Sequence, residues 1–187
     1  IDNLVKTLEG QRVEHPRNDF TIVRKDGTTF PALLWPSIII RDNKPAGIRG
    51  ICVDITEMKK AEEGLRKSEE RYRSVVDNAS EAIIVAQNGM LKFFNPRALK
   101  ISGYTAEEML SKPFVELIHP DDRQMVIERH AMRLKGEELD HPYSFRVVTK
   151  DGNIKWMEIN SVLISWNGKP ATLNLLNDIT QRRIAQE

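Results

Sequence analysis

The feature that most constrains this chain is an internal repeat. Lys25-Asp26-Gly27 returns as Lys150-Asp151-Gly152, and Asp54-Ile55-Thr56 returns as Asp178-Ile179-Thr180. Asp26 and Asp151 are 125 positions apart and Asp54 and Asp178 are 124 apart, so one residue separates the copies between these anchors. Lys44-Pro45 matches Lys169-Pro170 inside the interval, and Ala61-Glu62-Glu63 matches Ala185-Gln186-Glu187 beyond it. The first copy begins where the second has reached its midpoint. Residues 1–56 therefore read as the C-terminal half of a first module, 57–79 as a linker, 80–180 as a complete second module and 181–187 as the start of another linker. On this reading the chain is a piece of a longer protein.

Each back half reads as an antiparallel meander. Asp26-Gly27 and Asp151-Gly152 are tight-turn dipeptides between runs rich in β-branched and aromatic residues. They join Phe20–Lys25 to Thr29–Ile40 and Tyr143–Lys150 to Ile154–Trp166. Turns at Asp42-Asn43-Lys44-Pro45 and Asn167-Gly168-Lys169-Pro170 lead into Ala46–Asp54 and Ala171–Asp178. The front half of the second copy opens with a hairpin around Asn88-Gly89, joining Glu81–Ala86 to Met90–Asn95. Helical signals follow: Asn95-Pro96 as N-cap and first helical residue, Thr105-Ala106-Glu107-Glu108 as a capping box, and Pro120-Asp121-Asp122 opening a longer helix to Leu134.

Composition excludes several classes. Hydrophobic residues are 40% and charged residues 29%, as in ordinary globular proteins. A net charge of +1 gives no global attraction to nucleic acid. Cys52 is the single cysteine, which removes intrachain disulfides and cysteine-based zinc sites and fits a reducing, cytoplasmic compartment. The longest apolar stretch, Ala32–Ile40, is broken by Pro36 and Ser37 and falls short of the ~20 residues a membrane-spanning helix needs.

The linker has its own period. Met58, Ala61, Leu65, Ser68, Tyr72, Val75 and Ala79 alternate spacings of three and four, an a/d seam over three heptads. The spacing predicts one helix over 57–79 whose seam meets a second chain in parallel. Gly64 costs about 1 kcal/mol relative to alanine, so a partner has to supply stability. The competing arrangement is a helix laid on its own sheet.

Taken in order, Ser68-Glu69-Glu70-Arg71-Tyr72-Arg73, Phe94-Asn95-Pro96, Gly103-Tyr104-Thr105 with Glu107-Glu108, His119-Pro120-Asp121-Asp122-Arg123, Lys150-Asp151-Gly152 with Trp156, and Asp178-Ile179-Thr180 resemble the PAS domain family. The resemblance covers nearly the whole chain. It implies an α/β (α+β) sensor fold with a five-stranded antiparallel sheet, short helices on one face, a cavity between them and helical linkers that carry a signal.

The same resemblance frames the cofactor question. In the flavin-binding branch a cysteine bonds the ring and amides on the last strands hold it, and the matching positions here are Phe114, Val147, Met157 and Leu176. With those anchors gone a flavin is rejected. Haem-binding members place a histidine where Val126 stands, and His130 lies one turn later; it is read as an ordinary helix residue, and no cofactor is expected. His119 with Asp121 and Asp122 is read as a turn with an Asp cap rather than a metal site. Cys52 is read as a small buried hydrophobe.

Strand alternation points Val147, Met157, Ile159, Ser161, Asn174 and Leu176 inward, opposite Phe94, Leu99, Tyr104, Met109, Phe114, Leu117 and Met125. Two arrangements stay open: a filled core, or an apolar pocket with Ser161, Asn174 and the Tyr104 hydroxyl as polar anchors. Trp156, Val162 and Trp166 face the other way and leave an apolar outer sheet surface, which in this family meets a flanking helix or second subunit.

The resulting expectation is a non-catalytic sensory and dimerisation segment of a multidomain signalling protein, with a histidine kinase or cyclic-dinucleotide enzyme beyond Glu187. The alternative is a dedicated small-molecule receptor. Asp54 and Asp178 are expected to pair with a basic residue of the flanking helix, and Thr56 and Thr180 to cap the outgoing helices. The last strand of the half module, Ala46–Asp54, is expected to present an open edge, and its inward face (Ile22, Leu34 and Cys52) to borrow cover from the linker helix or a second copy.

Overall fold

A computed structural model describes residues 19–137, 139 and 142–186. It divides into two compact units, the first ending at Glu70 and the second beginning at Arg71. The part of the half module at 1–18 lies outside the described residues.

In the first unit β1 (Asp19–Val23), β2 (Thr29–Arg41) and β3 (Lys44–Asp54) form an antiparallel sheet in the order β1-β2-β3. The β2–β3 hairpin turns through Asp42 and Asn43, both at positive φ (47° and 61°), the conformation a two-residue turn of the favoured hand requires. Among the described residues β3 hydrogen-bonds only β2, and all eleven of its residues are exposed. The open edge is present, but Cys52 is exposed rather than buried, because no described helix covers that sheet face.

The linker forms α1 (Thr56–Asp77), with no buried residue. It therefore does not lie on a sheet. Met58, Leu65, Tyr72 and Val75 are exposed apolar side chains, and Ala61 is exposed too. Around them run intrahelical ion pairs, including Arg66 with Glu63 (2.7 Å) and Glu70 (2.5 Å). The helix stops two residues short of the expected Ala79, where the Asn78 side-chain Nδ2 donates to the Ser74 carbonyl at 2.8 Å.

The second unit is a five-stranded antiparallel sheet in the order β5-β4-β8-β7-β6. Its strands are β4 (Ala82–Gln87), β5 (Met90–Phe94), β6 (Tyr143–Val148), β7 (Ile154–Trp166) and β8 (Lys169–Asp178). Between β5 and β6 come α2 (Pro96–Ser102), α3 (Ala106–Ser111), 3-10 turns at Phe114–Leu117 and Pro120–Asp122, and α4 (Arg123–Leu134); α5 (Thr180–Ile184) follows β8. Leu91, Ile101, Met109, Ile118, Phe145 and Met157 bury the seam between helices and sheet.

Local sequence explains how the helices attach. Asn95, 1% exposed, accepts at Oδ1 from the backbone N–H of Ala98 (3.2 Å), capping α2, and from that of Ile83 (3.0 Å) on β4. Its Nδ2 donates to the carbonyls of Val76 on α1 and Glu81, both at 3.0 Å. Gly103 ends α2 at φ 74°, a conformation costly for any residue with a Cβ. The Thr105–Glu108 capping box then opens α3. Lys150 Nζ reaches Glu108 at 2.8 Å, and that contact with the Thr105 backbone bond holds the glutamate carboxyl down at about 2.

Replacing Asn95 by Ala should destabilise the second unit by about 3 kcal/mol, combining a lost cap with backbone groups left unpaired. Chemical denaturation checks this; a loss under about 0.5 kcal/mol would contradict the central role of the carboxamide.

Candidate functional site

Two arrangements in the second unit have chemistry beyond packing: a cavity between sheet and helices, and the joint from which α5 leaves the sheet.

The cavity has a volume of about 90 Å³. Of the residues expected to line it, Phe114, Val147, Ile159, Ser161, Asn174 and Leu176 do so, and Leu117 joins them. Met157 is instead packed solid in the core at 1% exposure. Tyr104 does not line the cavity: its ring packs against the core from outside, with the Lys112 ammonium 5.2 Å from the ring centroid, so its hydroxyl is not a cavity anchor. Phe94, Leu99, Met109 and Met125 belong to the core or its margin. The lining residues that sequence pattern missed include His130, Arg133 and Val126 on α4, Tyr143 and Phe145 on β6, and Ile84, Ala86, Leu91 and Ile118. For the α4 residues the signal was the spacing of Val126, His130 and Arg133, which puts all three on one face of the helix.

Polar groups run across the wall as a connected string. The Ser161 hydroxyl donates to Asn174 Oδ1, and Asn174 Nδ2 donates to the Ile84 carbonyl (3.3 Å) and to the Thr172 carbonyl and hydroxyl oxygens (both 3.1 Å). Thr172, fully buried, also lies 3.3 Å from His130 Nδ1. The His130 ring meets Phe114 edge-on at 5.0 Å. Burial, with the nearby Arg133 charge, pushes the His130 pKa below its usual value and keeps the ring neutral. Burial also lowers Arg133 and raises Tyr143.

The joint after β8 differs from its expected form. Asp178 Oδ1 accepts both the backbone N–H of Thr180 (3.1 Å) and its hydroxyl (2.6 Å), so the aspartate, not the threonine, serves the first turn of α5. The Thr180 oxygen in turn accepts from the backbone N–H of Trp156 at 3.0 Å. The basic partner of Asp178 is Lys155 on β7 at 3.3 Å rather than a residue of the flanking helix. Burial raises the Asp178 pKa, but the bonds from Thr180 and Lys155 outweigh it and hold the carboxyl low. On the outer sheet face the Arg183 guanidinium sits 3.9 Å from the Trp156 ring centroid, and Arg182 pairs with Glu158 at 3.0 Å. In the first unit Asp54 likewise accepts the N–H (2.9 Å) and hydroxyl (2.5 Å) of Thr56, and its basic partner is Arg24 in the β1–β2 connection at 2.9 Å.

The acidic turn before α4 is also rearranged. Asp122 makes no side-chain cap; its carboxylate grips Arg146 on β6, accepting from the backbone N–H (2.7 Å), Nε (3.0 Å) and Nη2 (2.7 Å). His119 Nδ1 accepts from the Asp121 N–H at 3.4 Å. Among the described residues no three His, Cys, Asp or Glu side chains converge as a metal site would need.

Two family models match the sequence: one described as PAS domain over residues 1–57 and one described as PAS fold over residues 91–174. The five-stranded order, the helices on one face and these matches agree. The chain belongs to the PAS family. A PAS domain of a protein from Haloarcula marismortui is 22% identical and superimposes with a TM-score of 0.56, covering 65% of this chain and 99% of that one. Another, from Colwellia psychrerythraea, is 23% identical with a TM-score of 0.53, covering 60% and 98%. Among curated relatives, a probable diguanylate cyclase of Escherichia coli is 32% identical over 54% of this chain, and sporulation kinase A of Bacillus subtilis 26% identical over 88%. The matched regions are 9% and 27% of those two proteins. The chain is thus a PAS sensor segment of the kind found in signalling proteins. No helix among the described residues is long and apolar enough to cross a membrane.

The Asp122–Arg146 contact is expected to link the stability of the second unit to pH. The Arg146 bonds lower its pKa below 3.8 against the effect of burial, so its contribution is complete above the unfolded value and fades as pH falls through the folded one. Acid unfolding of the Asp122→Asn variant should lose part of the wild-type slope below pH 4, with reduced stability already at pH 7. Parallel wild-type and variant curves would contradict this assignment.

Proposed function

We propose that this PAS chain is a non-catalytic sensory and dimerisation segment that passes a signal through α1 and α5 to an output domain elsewhere in a longer cytoplasmic protein. The observation that carries this reading is the Asp178–Thr180–Trp156 joint, which ties the first turn of the outgoing helix to the central strands. A shift of the sheet against its helices would change those bonds and so bias the helix between two arrangements. The names of similar proteins, a sensor histidine kinase of Ectopseudomonas mendocina and the probable diguanylate cyclase, favour a histidine kinase or a diguanylate cyclase as the output. Among the described residues no cavity side chain stands as a nucleophile beside a base with an orienting partner, in keeping with a role without catalysis.

The second unit is read as holding neither flavin nor haem. Its cavity of about 90 Å³ is smaller than the ~150 Å³ that accommodates benzene, and Phe114, Val147, Met157 and Leu176 offer a flavin ring no hydrogen bonds. The polar string inside the cavity favours a second reading, a receptor for a small molecule, which native mass spectrometry of the purified chain distinguishes by a retained mass.

Asp178→Ala in the full-length protein should change signalling output by about fivefold or more, the scale of ordinary coupling energies, while the second unit stays folded by circular dichroism. Wild-type output from a folded variant would overturn the relay.

The exposed row Met58, Ala61, Leu65, Tyr72 and Val75 supports a parallel homodimer along α1, with the outer sheet face around Trp156, Val162 and Trp166 as a second contact. Charging Leu65 and Tyr72 together buries unpaired charge in such a seam. Sedimentation should then show a dimeric parent and a monomeric Leu65→Glu/Tyr72→Glu variant; a monomeric parent or a dimeric variant would refute the seam.

A further inference from the structure

Among the described residues His130 Nε2 is the one buried side-chain nitrogen or oxygen without a hydrogen-bond partner, and His130 lines the cavity. The direction of the hydrogen-bond string decides what that atom is. Asn174 is oriented by its neighbours: Oδ1 accepts from Ser161, while Nδ2 faces the carbonyls of Ile84 and Thr172. Turning the amide over would set its oxygen against two carbonyl oxygens. Nδ2 also donates to the Thr172 hydroxyl oxygen, which leaves the Thr172 hydrogen to donate to His130 Nδ1. In a neutral imidazole whose Nδ1 accepts, the proton resides on Nε2. The two nitrogens of the ring point nearly opposite ways. With Nδ1 held by Thr172, which is not a lining residue, Nε2–H is the donor left for the cavity side.

The other polar side chains of the lining are engaged. Ser161 and Asn174 bond within the string, and Arg133 and Tyr143 bond each other. Leu91, Phe114, Phe145, Ile159 and Leu176 contribute apolar surface. An ion entering this space would lose its water, and the one charged lining group, Arg133, already has its partner, so an uncharged occupant is favoured. An alcohol would bury an O–H, while the acceptors of the string, Asn174 Oδ1 and the Ile84 and Thr172 carbonyls, already accept. The single open donor therefore suits a molecule that accepts without donating. Scaled from a cavity of ~150 Å³ that takes benzene, the space of about 90 Å³ admits roughly three non-hydrogen atoms.

We propose that the second PAS domain binds a neutral two-carbon carbonyl compound of acetaldehyde size, its oxygen accepting from His130 Nε2–H and its methyl group resting on the apolar wall. Thr172 acts as a positioning residue, since it holds His130 in the tautomer that donates. The inference rests on the sensory reading above and gives that reading its ligand class.

The test titrates the intact chain at pH 7 with acetaldehyde, ethanol and propane, the last under pressure, while long-range proton–nitrogen correlation follows the His130 ring and methyl shifts follow Ile159. The three probes have equal numbers of non-hydrogen atoms; ethanol adds a hydroxyl hydrogen, and propane lacks the acceptor. The free protein should show the Nε2–H tautomer. Acetaldehyde should shift Nε2 saturably, with the roughly millimolar affinity that is the ceiling for so small a ligand, and bind about fivefold or more tightly than ethanol. Butyraldehyde reacts with surface amines as acetaldehyde does but exceeds the cavity, and should leave the ring unshifted. His130→Phe should weaken acetaldehyde binding by about tenfold or more. Thr172→Val, which keeps the side-chain shape, should release the tautomer preference and weaken acetaldehyde several-fold while leaving propane within about twofold. Circular dichroism identifies any variant that fails to fold; should His130→Phe do so, Thr172→Val and the ethanol comparison still decide. An Nδ1–H tautomer in the free protein, equal affinity for acetaldehyde and ethanol, an equal ring shift with butyraldehyde, equal losses of acetaldehyde and propane in Thr172→Val, or no saturable shift at tens of millimolar acetaldehyde would each overturn the proposal. A failed titration with an altered Asp178→Ala output overturns the ligand class alone, whereas acetaldehyde binding with unaltered output overturns the relay alone.

Discussion

The second PAS domain is organised by one side-chain amide. Asn95 joins four backbone segments: the last turn of α1 through Val76, the chain entering β4 through Glu81, β4 itself through Ile83, and the first turn of α2 through Ala98. Only Asn offers an acceptor and two donors on so short a stem, with an extended backbone suited to an N-cap. Because its contacts are buried, each is worth most as an avoided penalty: a stranded carbonyl or N–H in this position costs more than the bond contributes when made. The end of the incoming helix is thereby fixed to the strand where the sheet begins.

That fixation places the end of the incoming helix beside the start of the outgoing one. Ala82 at the start of β4 pairs with Leu176 near the end of β8, two residues before Asp178. The bonds that tie α1 through Asn95 and those that tie α5 through Asp178 and Thr180 thus lie at the same end of two adjacent central strands. β8 also carries Asn174, which lines the cavity, and the fully buried Thr172 to which it is hydrogen-bonded. One strand therefore touches the His130 string and the exit joint, separated by rigid antiparallel pairing with β4 and β7. β8 thus joins a cavity-lining residue, Asn174, to the start of the outgoing helix through one hydrogen-bonded strand.

How much of this was legible depended on whether the information is local. Hairpins, the Asn95 cap, the Thr105 box and the three-stranded meanders are written in neighbouring residues, and the strand limits of β7, Ile154–Trp166, follow directly from its turns. Partners distant in sequence were not legible. The pattern assigns Asp122 to capping α4 and gives Asp178 a cation on the flanking helix, yet Asp122 grips Arg146 on β6, and Asp178, besides accepting the Thr180 N–H, pairs with Lys155 on the adjacent strand. Tyr104 was placed in the cavity by its neighbours in a motif, whereas the turn at Gly103 keeps its ring at the margin of the core. His130 was set aside because it missed the expected haem position by one turn. Its hydrogen-bond partner is a threonine 42 residues away, and no spacing rule on α4 reveals that. Cys52 failed for the opposite reason: its alternation was correct, but burial needs a second layer, which strand pattern does not specify.

The repeat itself explains a difference between the two joints. At the second, the Ile179 N–H donates to the Trp156 carbonyl (2.9 Å) and the Trp156 N–H donates to Thr180 Oγ (3.0 Å), a reciprocal pair that closes the helix start onto β7. At the first, Ile55 makes the matching bond to the Pro31 carbonyl at 3.0 Å. The return bond cannot form, because the residue equivalent to Trp156 is Pro31 and proline has no N–H. Arg24 supplies an exposed ion pair to Asp54 instead, and solvent screens such a pair. The same Asp-Ile-Thr motif therefore holds α5 by one more part-buried hydrogen bond, from a backbone N–H to the Thr180 hydroxyl, than it holds α1. Trp156 adds its ring under Arg183, which the first copy cannot match. One substitution between repeats thus makes the start of α1 the looser joint and the start of α5 the tighter one, so that movement of a helix against its sheet costs less at the first than at the second.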